Sequence, residues 1–101
     1  MQRVIRIRSG ETPVDRMREA LRSLEGEIRF AEGHLRRCAK RFREAAQATD
    51  EYLPRVLEGE ATHKSTYSWA QVRAGDLMTA YNTLEELRDL KTSLLNLLGE
   101  E

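Results

Sequence analysis

Arg29 and His34 are the pair in this chain best suited to moving a proton beside a growing negative charge. A guanidinium keeps its proton and can hold a phosphorane-like charge, while an imidazole titrates near neutrality and can act as acid or base. Four residues separate them in Arg29-Phe30-Ala31-Glu32-Gly33-His34. A second pair, in Glu60-Ala61-Thr62-His63, has the spacing that puts a carboxylate and an imidazole on one helical face as metal ligands. That stretch has no apolar periodicity, so it is expected to be a loop, and neither a metal nor another cofactor is expected. The sequence holds no thiol pair, nucleophile triad or phosphate-cradling glycine loop.

The Arg29 to His34 spacing resembles the catalytic motif of HEPN-type ribonucleases, which are helical and dimeric, and the resemblance implies ribonuclease activity. Phe30 follows the arginine where that family usually has a polar residue. Over its first twenty or so residues the chain also resembles the ribbon-helix-helix repressors. That likeness implies paired strands presenting Arg6 and Arg8 to the major groove of DNA. Helices in that family are far shorter than the first helix expected here.

Two further groupings bear on binding. Arg22, Arg29, Arg36 and Arg43 recur every seven residues, lining a strip about 30 Å long at helical rise. Together with Arg6 and Arg8 they could follow phosphates, so a nucleic-acid-binding dimer is the alternative reading. However, Glu25 to Arg29 and Glu32 to Arg36 are i,i+4 pairs in the favourable orientation. A fold-back of the chain should also bring Glu85, Glu86 and Asp89 level with Arg41, Lys40 and Arg37. A solvated, self-paired face is therefore expected. Gly26 and Gly33 flank Phe30 on one strip, a shallow groove where a partner helix could approach closely, and these three are the expected partner-binding residues.

The elements that must position these groups are helices. Val14, Met17, Leu21, Leu24, Ile28, Ala31, Leu35, Cys38, Phe42, Ala45, Thr49, Tyr52 and Val56 follow one another in alternating steps of three and four. That is a heptad seam, apolar except at Thr49, and predicts one long helix packed along a narrow stripe. Thr12-Pro13-Val14-Asp15 offers a capping threonine, a proline at the first helical position and an acid three residues after the cap. The helix is placed at 12–58, with a kink or break where Pro54 removes an amide and crowds the carbonyl of Asp50. A loop at 59–67 and a second helix at 68–98, opened by a capping box at Ser68-Trp69-Ala70-Gln71 and closed by Gly99, complete the hairpin. Residues 1–11 form a short strand or a basic arm, since Gln2 to Arg8 alternates β-branched residues with arginine.

The arms are unequal. Folding back about residue 63 makes the numbers of opposing residues total roughly 126, which sets Leu98 near Ile28 and leaves Val14, Met17, Leu21 and Leu24 without an intrachain partner. A dimer interface is expected at those four. Leu87, Leu90, Leu94, Leu95, Leu97 and Leu98 wrap more of the second helix than one neighbour could cover. The fold class is accordingly all-α: a long antiparallel, coiled-coil-like hairpin that dimerises into a four-helix bundle.

Composition agrees with such a chain. It has 101 residues with 17 basic and 17 acidic side chains, so no net field draws it to nucleic acid or membrane. The charges are uneven, however: residues 1–43 carry 12 basic and 6 acidic groups, residues 44–101 carry 5 and 11. The single cysteine, Cys38, lies on the seam and reads as a buried reduced thiol, which suits the cytoplasm. No apolar run approaches the roughly 18 residues that cross a bilayer. The reading that follows is a cytoplasmic, non-enzymatic helical-hairpin homodimer that binds other protein as an adaptor, assembly factor or regulator.

Overall fold

The computed structural model describes residues 12–59 and 64–99. It consists of two long helices, α1 (Pro13–Leu57) and α2 (Lys64–Gly99), packed antiparallel against each other. The strand or arm expected at 1–11 lies outside the described residues.

α1 begins where the capping sequence places it. The Thr12 hydroxyl accepts from the Asp15 amide at 3.1 Å, and the Asp15 carboxylate accepts from the Thr12 amide at 3.1 Å, so two amides that an open helix end would leave bare are satisfied. At the other end the helix runs through Pro54 to Leu57. A proline one turn from the end removes only one bond, and the Glu58 amide restores pairing by donating to the carbonyls of Pro54 and Arg55, each at 3.1 Å. Gly59, at φ 99°, then reverses the chain in a conformation that a side chain would strain.

α2 starts at Lys64, four residues before the expected capping box at Ser68. Thr66 and Tyr67 are half-buried, and packing of that first turn against α1 outweighs its weak helix propensity. The connection is therefore shorter than the expected 59–67.

All thirteen seam residues of α1 are buried or half-buried. α2 answers with a heptad seam of its own: Thr66, Ala70, Arg73, Leu77, Ala80, Leu84, Leu87, Lys91, Leu94 and Leu98 are likewise buried or half-buried. The centre is a cluster of Leu24, Ile28, Ala31 and Leu84, with Leu35, Leu87 and Leu94 packed on it.

The register differs from the sequence estimate. Glu32 pairs with Arg88 and Glu25 with Lys91, so opposing numbers total 120 and 116 rather than 126. The early reversal at Gly59 advances α2 along α1 by roughly 9 to 15 Å at helical rise. Leu98 consequently lies level with residues near 18 to 22 of α1, and Leu24 is covered within the chain, only 4% exposed. The premise that Leu24 lacks an intrachain partner is thus corrected. Val14, Met17 and Leu21, nearer the open end, are half-buried.

Candidate interaction surfaces

A two-helix hairpin has two flanks, one on either side of the seam, and in this chain they differ in chemistry. On the first, Phe30 stands 73% exposed, as expected for a residue off the seam. The strip around it is not an open groove. The Arg37 guanidinium lies 5.9 Å from the Phe30 ring centroid, and a Cβ built on Gly33 would stand 3.6 Å from Arg37 Nη1. Similarly, a Cβ on Gly26 would stand 3.9 Å from Arg29 Nη2. Each glycine thus leaves a flat place on the helix where a guanidinium lies. Between this strip and α2, Phe30, Ala31, His34, Ala80, Thr83 and Leu87 line a cleft of about 310 Å³.

His34 is exposed, and its Nε2 is 3.6 Å from Cys38 Sγ, one helical turn on. Five residues of helix rotate His34 by roughly 140° from Arg29. The two groups therefore do not share a face within one chain, and Arg29 reaches back toward Gly26 instead. Cys38 itself is 3% exposed. Glu60 and His63 lie outside the described residues, and among the described residues no three potential metal ligands come together.

The arginine strip is exposed throughout: Arg22, Arg29, Arg36 and Arg43 all face solvent. The acids expected to neutralise it do otherwise. Glu32 Oε2 accepts from Arg88 at 3.2 Å and Glu25 Oε2 meets Lys91 Nζ at 3.5 Å. Both carboxylates turn inward to α2, and among the described residues no ion pair is formed by any of the four arginines. Cross-hairpin pairing thus runs from acids of α1 to cations of α2, the reverse of the expected pairing of Glu85, Glu86 and Asp89 with Arg41, Lys40 and Arg37. The advanced register accounts for this, because it carries those acids past the cations they would have met. Arg6 and Arg8 lie outside the described residues.

The second flank holds a feature that periodicity in α1 did not reveal. Leu35, Ala74, Leu77, Met78 and Tyr81 line a cleft of about 460 Å³, with Met78 59% and Tyr81 50% exposed. Trp69, toward the turn, belongs to the first flank instead, beside Arg41, Glu44, Ala45 and Ala48; it is exposed and covered on one face by the Arg73 guanidinium at 4.9 Å, which also pairs with Asp76 at 3.6 Å. A heptad reading of α2 anchored on Leu77, Leu84 and Leu98 would have marked Met78 and Tyr81 as flanking positions. Arg73 and Lys91 on the seam, and leucines off it, conceal that register.

Comparison with known proteins gives no matching family model, curated protein or solved structure. Among the described residues no helix is long and apolar enough to cross a membrane.

Proposed function

We propose that this chain is a non-enzymatic, cytoplasmic interaction module that works as a homodimeric helical hairpin, two copies forming a four-helix bundle that binds other protein as an adaptor, assembly factor or regulator. One observation carries the reading: large apolar side chains outnumber the buried ones on the surface. Six residues form the buried core, whereas ten large hydrophobics among the described residues are 41% to 77% exposed. Val14, Met17 and Leu21, half-buried toward the open end, contribute to that association. Multi-angle light scattering tests it: a dimer at micromolar concentration is the expected result, and a monomer whose stability does not depend on concentration would overturn it.

The unpaired arginines favour a second reading, a nucleic-acid-binding dimer, because a row of cations relieved of its neighbouring acids is open to phosphates. Retention of labelled DNA or RNA at low salt, lost as salt rises, is the corresponding test.

A further inference from the structure

The geometry points to the flank carrying Met78 and Tyr81 as the self-association surface, with α1 of one copy lying against α2 of the other and both turns at the same end. This rests on the homodimer reading above and adds the face, the orientation and the ion pairs that select them.

The occupant of that flank is a second copy because the flank complements itself. Met78 and Tyr81 protrude beside a cleft floored by Leu35, Ala74 and Leu77, so each copy offers both the knobs and the hole. Glu85 follows Tyr81 by four residues and Met78 by seven, and therefore shares their strip of α2. Arg29 and Arg36 follow Glu25 and Glu32 by four, and those acids mark the same flank of α1 through their pairs with Lys91 and Arg88; the Arg29 guanidinium, which rests over Gly26 on the outer face of the single hairpin, swings to this edge on association. The apolar patch thus has unpaired arginines along its α1 edge and an exposed, unpaired carboxylate, Glu85, along its α2 edge.

Two arrangements are open to a twofold axis lying in such an interface. An axis across the helices sets α1 against α1 and runs the arginine rows of the two copies beside each other, which like-charge repulsion opposes. An axis along the helices sets α1 against the partner's α2 at equal height. With opposing numbers totalling 116 to 120, Glu85 then stands level with residues 31 to 35 of the facing α1, between Arg29 and Arg36. Tyr81 stands level with Leu35 to Ala39. Only this second arrangement brings opposite charges to both edges while burying the knobs.

The test uses the full chain. A spin label at Glu58→Cys, in a Cys38→Ala background matched to the parent in helix content, reports the distance between the two turns. The second arrangement gives about 20 to 30 Å, the width of a bundle, and the first gives about 60 Å, twenty residues of rise on either side of the patch centre. Glu85→Arg alone, or Arg29→Glu with Arg36→Glu, should each raise the dimer Kd by roughly tenfold, since every pair occurs twice. All three substitutions together should restore it. Met78→Asp should abolish the dimer while helix content is retained. A dimer with the long distance, or one indifferent to Met78→Asp and to the charge reversals, overturns this inference and leaves the homodimer reading standing. A monomeric parent overturns both.

Discussion

Phe30, Arg37 and Gly33 show how a single residue's meaning changes once its neighbours are placed. The glycines flanking an outward phenylalanine suggested a groove for a helix, but the groove floor is occupied by guanidinium groups. The exposed surface of that strip is therefore cationic over an aromatic ring. Phe30→Ala should cost well under the roughly 3 to 5 kcal/mol of a core phenylalanine, because the ring is mostly wet, and urea denaturation will measure it. Gly26→Ala and Gly33→Ala should stabilise α1 by somewhat less than about 1 kcal/mol each, since a Cβ at either position meets an arginine at ordinary contact distance. Leucine at both would instead push Arg29 and Arg37 aside. Loss of partner binding in the leucine variant but not the alanine variant would show that the resting place of the guanidiniums matters. Equal behaviour of the two would show that it does not. Off-seam exposure of Phe30 was legible in the sequence; the arginine lying over it was not, because spacing does not say which way a long flexible side chain turns.

At the scale of the element, the legible part was whatever depends on local rules. The Thr12 cap, Pro13 at the first helical position and the thirteen-residue seam of α1 are all present as read. Thr12→Ala removes an acceptor bonded at 3.1 Å and should destabilise the fold by about 1 kcal/mol. The start of α2 and the register between the helices were not legible, because both depend on where the chain reverses, and Gly59 sets that through a backbone conformation no periodicity records. The seam of α2 was hidden by Arg73 and Lys91, whose aliphatic stems can be buried while their charges reach Asp76 and Glu25. The consequence can be tested with two leucines six residues apart. Leu84→Ala, at a position 3% exposed in the central cluster, should cost about 2 to 5 kcal/mol. Leu90→Ala, at a position 52% exposed, should cost far less. Similar losses at both in thermal melts would mean that Leu90 is buried by a partner, and a melt repeated at higher dilution would then bring the Leu90→Ala loss down.

For the whole molecule, the decisive quantity is how stability responds to concentration. A hairpin two helices thick, measuring 75 × 33 × 15 Å, has no interior beyond one seam, and none of its described side chains is completely buried. Burying several of its exposed large side chains at about 1.5 to 3 kcal/mol each would add an amount comparable with the whole stability of a small domain. If association supplies it, unfolding is coupled to dissociation, and Tm rises with protein concentration by mass action. Leu21→Asp sharpens the test, because Leu21 is half-buried near the level of Leu98, so that part of its side chain is left for the second copy in the proposed dimer. In a dimer the variant should lose stability more severely at low concentration than at high, with scattering showing dissociation. In a self-sufficient hairpin the loss should be the same at every concentration. Raising salt distinguishes the nucleic-acid reading within the same experiment: affinity of the dimer for labelled nucleic acid should fall steeply, by several powers of ten for six to ten phosphate contacts between about 50 and 200 mM salt. Association through the apolar flank should instead persist at high salt, weakening only by the screened share of its edge ion pairs. A dimer that dissolves with salt as steeply as nucleic acid is released would mean that charge, and not the Met78 and Tyr81 surface, holds the copies together.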